Sequence, residues 1–323
     1  MIRQTIIAAA LVAAASGTAY AEDRQTAPAE KPAVAKVVDN LDINFKGEVR
    51  AFVEGGNAAD NDLEVKSTDT NVGIDVRSKG ITYVFGHLSA TVDITGTDAI
   101  DTNYGYVGVG HQVYGELSAG KTKSIMEEFV NTTDMFYSAG NLAIQKTTKK
   151  QADSVKYMNS FGDIKVGAQA QMTDNAADDN TLDTYQIGVG YKNVGFTFSE
   201  DQTNDTQHYG IGASHKFMDK ITVAASYTIK DSGSGNNVTD ILMWNNNDTT
   251  GVTRAVEAVV GYDLSAKTMV LAGLQKTDAT GDDGDVTFEV NHKLYKDATV
   301  FANVDYDVAS SDYVYRTGLS VKF

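Results

Sequence analysis

The strongest constraint on the fold is a period-two alternation of apolar and polar residues, which begins at Leu41 and continues to the end of the chain. Such alternation is typical of β-strands, because successive side chains point to opposite faces. In the first segment one face holds Ile43, Phe45, Val49, Ala51 and Val53, and the other holds Asn44, Lys46, Glu48 and Arg50. Helical periodicity is almost absent. The chain is therefore predicted to be all-β, although a soluble β-sandwich would alternate in the same way.

The connections between the predicted strands alternate in length. Short turns lie near 77–80, 111–115, 159–163, 191–195, 216–220, 263–267 and 294–298. Longer polar segments lie between them, such as 55–66, 174–183, 231–253 and 278–284. Counting strands between connections gives sixteen, with short turns on one rim and loops on the other. An even strand number with this asymmetry of rims is typical of bacterial outer-membrane barrels.

The two faces of the predicted strands differ in charge. A later strand presents Ile221, Val223, Ala225, Tyr227 and Ile229 on one face, and Thr222, Ala224, Ser226, Thr228 and Lys230 on the other. The second face is polar, as a water-filled lumen requires. Aromatic residues recur near strand ends, where a membrane-interface girdle places them: Tyr185, Tyr191, Phe217, Tyr262, Tyr295, Tyr306 and Tyr313.

The last strand is apolar on one face and ends on an aromatic residue. Tyr315, Leu319, Val321 and Phe323 share that face. An apolar edge strand invites aggregation unless it is paired, and in a bilayer unpaired amides have no water to satisfy them. We therefore expect this strand to pair with the first one and close a barrel. The chain has only 2 Pro, in keeping with many hydrogen-bonded strands.

The N-terminus resembles an export signal. Arg3 supplies a positive charge, residues 6–15 are apolar, and residues 19–21 read Ala-Tyr-Ala. The predicted organisation is a signal peptide over 1–21, a flexible extension over 22–40 and a barrel over 41–323. The extension is rich in Ala and charge, and an alternative is that it enters the lumen. No later segment offers an apolar run of about 18 residues, as a transmembrane helix requires.

The composition excludes several functions. With 27 Lys plus Arg against 43 Asp plus Glu, the net charge of −16 argues against a nucleic-acid partner. The absence of Cys excludes disulfides and Cys-ligated metals. The acidic clusters in the predicted loops, at 60–62, 178–179 and 282–285, lack the EF-hand spacing. We therefore predict no cofactor and no metal site.

Four stretches together resemble a known family. They are the opening strand 45–52, the signal peptide, the terminal strand ending in Phe323, and a loop with 120–123 (Gly-Lys-Thr-Lys) and 133–135 (Thr-Asp-Met). The chain resembles the Gram-negative general diffusion porins, specifically the sixteen-stranded trimeric group of marine gammaproteobacterial type. The resemblance implies a 16-stranded antiparallel transmembrane β-barrel with an inward-folded third loop over 121–150. It also implies a homotrimer in the outer membrane, with lipid, lipopolysaccharide, the outer-membrane assembly machinery and small solutes as partners. The terminal residues Tyr315, Leu319, Val321 and Phe323 would be the assembly signal.

The resemblance also implies a pore constriction where loop acids face a basic wall. The acidic candidates are Glu127, Glu128 and Asp134, and the basic candidates are Lys46, Arg50, Arg77, Lys149 and Lys150. In these porins two central arginines lie on strands two and four, but ungapped matching places Gly73 and Asn103 there. The predicted basic wall therefore has few residues. Together with the negative net charge of the chain, this predicts a weakly cation-selective pore.

Two other functions stay open at this point. A sugar- or nucleoside-specific channel needs a line of lumen aromatics, and Phe52, Tyr83, Phe85 and Phe301 point inward without an evident track. A barrel hydrolase needs a nucleophile beside a His that is oriented by a third group. His87 and His208 are predicted to point into the lumen, but no nucleophile elbow accompanies them. We therefore predict a channel rather than an enzyme.

Overall fold

The computed structural model describes residues 40–57, 63–67, 70–92, 100–137, 150–172, 182–232, 251–278 and 283–323. The predicted signal peptide and all but the last residue of the predicted extension lie outside these ranges. So do Lys149 and the side chain of Lys150. Their predicted roles stay predictions.

The described chain forms one antiparallel sheet of seventeen strands and a short helix. The strands are β1 (Leu41–Gly56), β2 (Glu64–Lys66), β3 (Asn71–Ser78), β4 (Thr82–Val92), β5 (Ile100–His111), β6 (Gly115–Lys123), β7 (Lys150–Phe161), β8 (Ile164–Met172), β9 (Leu182–Tyr191), β10 (Val194–Asp201), β11 (Thr206–Phe217), β12 (Ile221–Asp231), β13 (Val252–Asp263), β14 (Thr268–Thr277), β15 (Asp285–Tyr295), β16 (Ala298–Asp307) and β17 (Asp312–Lys322). The helix, α1, spans Ile125–Phe129. No helix in the described ranges is long and apolar enough to cross a bilayer.

The sheet closes on itself through β1. One edge of β1 pairs with β17, from Glu48 opposite Lys322 to Gly56 opposite Val314. The other edge pairs with β3 and, further along, with the short β2. Because β2 and β3 follow one another along the same edge, they act as one interrupted strand. The wall is therefore a closed 16-stranded antiparallel barrel, which confirms the predicted fold class.

The short turns predicted from the sequence lie together on one rim. They occupy 79–81, 112–114, 162–163, 192–193, 218–220, 264–267 and 296–297. The two-residue turns Gly162-Asp163 and Lys192-Asn193 begin with φ of 62° and 52°. Positive φ at this position matches the right-handed twist of the flanking strands, which explains the tight hairpins.

The two barrel faces carry opposite chemistry. Large apolar side chains are exposed on the outside, for example Phe45 (71 %), Leu88 (51 %) and Phe288 (56 %). Inward positions hold polar residues that are buried, such as Gln186, Thr228 and Ser320. A water-soluble fold would bury the first set and expose the second. Lipid outside and water inside account for this inversion.

Candidate functional site: the barrel lumen

The chain that follows β6 turns to the inner side of the wall. We call residues 124–137 the inner segment. The Ser124 hydroxyl accepts a hydrogen bond from the backbone N–H of Glu127 at 3.1 Å, which caps α1. The backbone N–H of Ile125 donates to Gln186 at 2.8 Å and to Gln169 at 3.1 Å. Both glutamines occupy inward positions on β8 and β9, so α1 begins against the inner wall.

A track of glycines lets the inner segment approach the wall closely. A Cβ at Gly195 would lie 2.1 Å from the Phe129 carbonyl oxygen, and one at Gly212 would lie 2.4 Å from the Val130 carbonyl oxygen. Neither position can carry a larger residue without a shift of backbone. Ile125, Met126, Phe129 and Val130 are buried in one apolar cluster over this track. Burial of this cluster holds α1 in place.

Beyond α1 the inner segment contacts one strand after another. The Thr132 hydroxyl donates to the Ala225 carbonyl of β12 at 3.1 Å, and the Thr133 hydroxyl donates to Glu257 of β13. The Tyr137 N–H donates to the Glu289 carboxylate of β15 at 2.9 and 3.1 Å.

The last described residue of the inner segment is anchored on three sides. The Tyr137 ring stacks on Phe301 of β16, with centroids 5.5 Å apart and planes 9° apart. The Arg50 guanidinium of β1 lies 5.1 Å from the same ring centroid and donates to the Tyr137 carbonyl. The inner segment therefore follows the inner wall from β8 round to β1. The rest of the predicted loop, 138–149, lies outside the described residues.

The acids of α1 pair with lysines that sequence reasoning did not select. Glu127 Oε1 lies 3.4 Å from the Lys123 ammonium, and the two carboxylate oxygens accept from the Tyr104 hydroxyl at 3.3 and 3.2 Å. Glu128 lies 3.2 Å from the ammonium groups of both Lys156 and Lys165. Burial acts to raise the pKa of Glu128, but the two lysines outweigh it and leave that pKa below the ordinary value.

The predicted basic wall pairs with wall carboxylates instead. Lys46 lies 2.6 Å from Asp75, and Arg50 lies 2.7 Å from Glu48. Arg77 pairs with Glu116 of β6. These carboxylates are on the same strand or a nearby one, within direct reach of their basic partners. Each of these three bases therefore has a wall carboxylate as its close partner, and the prediction that they face the loop acids across the lumen stays a prediction.

Asp134 differs from the other predicted acids. Within the described part of the chain it forms no ion pair, and it accepts one hydrogen bond from Asn131 at 3.3 Å. Its side chain is exposed. Of the predicted acids, Asp134 is therefore the one whose charge no described cation compensates.

Period-two alternation could have identified the missed lysines. Lys156 and Lys165 stand on the inward register of β7 and β8, opposite to the exposed Val155 and Ile164. The predicted bases lie on the early strands and at 149–150, where β7 begins, whereas Lys156 and Lys165 lie further along β7 and on β8.

Five rings form a continuous aromatic strip on the inner face of β4 and β5: Tyr83, Phe85, Tyr106, His87 and Tyr104. Successive ring centroids lie 6.1, 6.4, 5.2 and 6.3 Å apart. Sequence reasoning named Tyr83 and Phe85 but found no track, because the strip continues on the neighbouring strand. A cleft of about 420 Å³ lies against Tyr83, Phe85 and Tyr106.

His87 lies in a Ser–His–Asp arrangement. Its Nδ1 is 2.5 Å from Asp75, and its Nε2 is 3.1 Å from the Ser89 hydroxyl. In serine hydrolases an aspartate, a histidine and the nucleophilic serine are linked by hydrogen bonds in this order. However, Ser89 is only 6 % exposed and Asp75 also pairs with Lys46. The hydroxyl is therefore closed to a substrate carbonyl in this structure.

Comparison with known families accounts for nearly the whole chain. Residues 8–312 match the model of the Gram-negative porin family. The chain belongs to the Gram-negative porins. This porin is therefore an outer-membrane β-barrel, and its barrel is a diffusion channel. No curated protein matches it.

Solved structures of porins share the fold at low sequence identity. The anion-selective porin from Comamonas acidovorans superposes with a TM-score of 0.70 at 12 % identity, covering 88 % of this chain and 100 % of its own. OmpF of Salmonella typhi, in complex with daunomycin, gives 0.66 at 14 % identity over 88 % and 99 %. OmpT of Vibrio cholerae, in a trimer form, gives 0.65 at 14 % identity over 88 % and 100 %. These likenesses show the barrel architecture alone.

Proposed function

We propose that this porin passes small hydrophilic solutes and ions passively, and that the inner segment narrows its lumen. The observation that carries the proposal is the anchoring of residues 124–137 along the inner wall from β8 to β1. A 16-stranded barrel encloses an aqueous channel too wide for wall side chains to fill. A segment fixed inside it reduces the open cross-section and sets the size of solutes that pass.

We further propose that the pore is weakly cation-selective. Glu127, Glu128 and the bases Lys46, Arg50 and Arg77 are each paired at close range, so their fields largely cancel. The exposed carboxylate of Asp134, which pairs with no described cation, adds a negative charge to the lumen, and a negative charge there attracts cations.

The test is single-channel recording of the full mature chain in a planar bilayer under a KCl gradient. We expect a reversal potential that favours potassium slightly, and a shift toward zero in Asp134→Asn. Asp219→Asn, which removes an exposed carboxylate from the short turn 218–220, is the matched control and should leave the reversal potential unchanged. A wild-type reversal potential that favours chloride contradicts the proposed selectivity.

We propose a homotrimer whose terminal strand is read by the outer-membrane assembly machinery. Tyr315, Leu319, Val321 and Phe323 all project from the outward face of β17, where a folding factor or lipid can reach them. Small outward residues such as Gly86 and Ala90 on β4 leave room for a neighbouring barrel. Membrane lipid and lipopolysaccharide would contact the remaining apolar surface. Cross-linking of the native membrane should give a three-subunit band.

A non-enzymatic channel is the function that the lumen supports best. The Ser–His–Asp arrangement at His87 is the one observation that favours a hydrolase, and the burial of Ser89 opposes it.

A further inference from the structure

The cleft beside the aromatic strip has the volume and lining of a small-molecule site. Its volume of about 420 Å³ falls within the roughly 300–1,000 Å³ of ligand pockets in proteins. Tyr83, Phe85 and Tyr106 form its apolar wall, and Glu116 and Lys156 are among its polar groups. Its lining combines inward residues of β4 to β8 with Glu128 of α1 and with Gln112 of a short turn, so the cleft lies on the lumen side of the wall near the short-turn rim.

Two rings of the strip, Tyr83 and Phe85 of β4, cover β5 at positions where that strand has glycine. A Cβ at Gly108 would lie 2.4 Å from Phe85 Cζ, and one at Gly110 would lie 2.2 Å from Tyr83 Cε2. Both rings therefore lean across the glycine backbone of β5, and with Tyr106 they line the cleft. The Arg77 guanidinium of β3 lies over the Tyr83 ring, 4.0 Å from its centroid, and covers one face of that ring.

The cleft lining carries both signs of charge, with two carboxylates, Glu116 and Glu128, and two ammonium groups, Lys156 and Lys165. Glu116 accepts from the Tyr83 hydroxyl at 2.8 Å and pairs with Arg77. Glu128, also at the cleft, pairs with Lys156 and Lys165. A neutral solute with many hydroxyl groups can donate to the carboxylates and accept from the ammonium groups. An anion or a cation would meet charges of both signs on this lining.

The ring geometry favours a puckered solute over a flat one. The planes of Tyr83 and Phe85 are tilted by 49°, and those of Phe85 and Tyr106 by 76°. A purine or pyrimidine stacks best on one flat face, whereas these tilted rings form a wall with no single flat face. The C–H faces of a pyranose ring fit such a wall, and its equatorial hydroxyls reach the polar rim.

We propose that this cleft binds one ring of a neutral oligosaccharide during its passage through the pore. The inference rests on the proposed diffusion function, because the ligand must enter the open lumen. Glu128 of α1 lines the same cleft, so a bound sugar lies beside the inner segment and obstructs the ion current.

The experiment measures block of the single-channel KCl current by maltotriose. We expect a saturable block of the wild type. Phe85→Leu keeps apolar bulk but removes a ring face, and should raise the half-blocking concentration by roughly three- to tenfold, as the loss of one aromatic contact predicts. Phe198→Leu is the matched control, because Phe198 clusters with Tyr185 and Tyr209 on the outward register and should leave the block unchanged.

The controls separate this inference from the proposed function. Unblocked KCl conductance equal to that of the wild type will show that each variant is folded. A channel that conducts KCl without saturable block, or whose block is the same in Phe85→Leu, overturns the inference alone. Saturable block by adenosine but not by maltotriose overturns the carbohydrate assignment. A folded barrel without KCl conductance overturns the proposed function itself.

Discussion

Replacing Gly195 by Ala should release the inner segment while leaving the barrel closed. The added Cβ would lie 2.1 Å from the Phe129 carbonyl oxygen and 2.8 Å from its carbonyl carbon. Ordinary contact begins at 3.4 Å, so the backbone at Phe129 must move by about 1.3 Å. Overpacking of this kind costs about 1–3 kcal/mol, which shifts the docking equilibrium of the segment by roughly 5- to 150-fold.

The assay for Gly195→Ala is single-channel conductance together with the size limit for neutral polymers. Both should increase, because an undocked segment no longer narrows the lumen. Gly105→Ala is the matched control, since its Cβ would meet only ordinary contacts at 3.6 and 3.8 Å. Heat-modifiable migration in detergent gels reports whether each barrel is closed. A folded Gly195→Ala channel with wild-type conductance and size limit would refute the glycine-track reasoning.

Three further predictions follow from other contacts. The pKa of Glu128 is lower in the folded protein than in the unfolded chain, because its carboxylate pairs with Lys156 and Lys165. These pairs therefore stabilise the docked inner segment fully at any pH above the ordinary carboxyl pKa, and the stabilisation is lost as the pH falls through the lowered pKa. Current fluctuations should therefore increase at acid pH in the wild type, and a Glu128→Gln channel should show them already at neutral pH, with selectivity shifted toward anions. Ser89 should not react with a fluorophosphonate probe, because it is buried; labelling that Ser89→Ala abolishes would instead favour a hydrolase. Phe323→Ala should lower the yield of folded barrel in a refolding assay, because the substitution removes the ring that lies over Gly47 while it keeps the two backbone hydrogen bonds between these residues, at 3.0 and 3.1 Å. An unchanged yield would contradict a role for the terminal ring in closure.

The barrel could be predicted from the sequence because its determinants are local and repeated. Alternation at residues such as Ile43 and Phe45 specifies which face meets lipid, and the short turns specify neighbours along the chain. Closure followed from one physical requirement, that an apolar terminal strand in a bilayer needs a partner. The single interruption between β2 and β3 has no comparable signal in the alternating pattern.

The side-chain contacts in the lumen were harder to predict from the sequence, because they join segments that are distant along the chain. The strand register and the path of the inner segment determine which acid pairs with which base, and neither can be derived from residue spacing in the sequence. Glu128 and Lys165, for example, are brought together only by the docking of α1 on the glycine track. The aromatic strip likewise needs the pairing of β4 with β5, which includes a register shift at Ser89.

The central claim is that neighbouring residues of one strand face two different solvents. The chain has no Cys, so single cysteines can be introduced at Lys46 and at Phe45 without background. A charged, water-soluble thiol reagent added to an open channel should change the current of Lys46→Cys at once and leave that of Phe45→Cys unchanged. Modification of the Phe45→Cys current, with no effect on Lys46→Cys, would contradict the assignment of lumen and lipid faces and with it the channel.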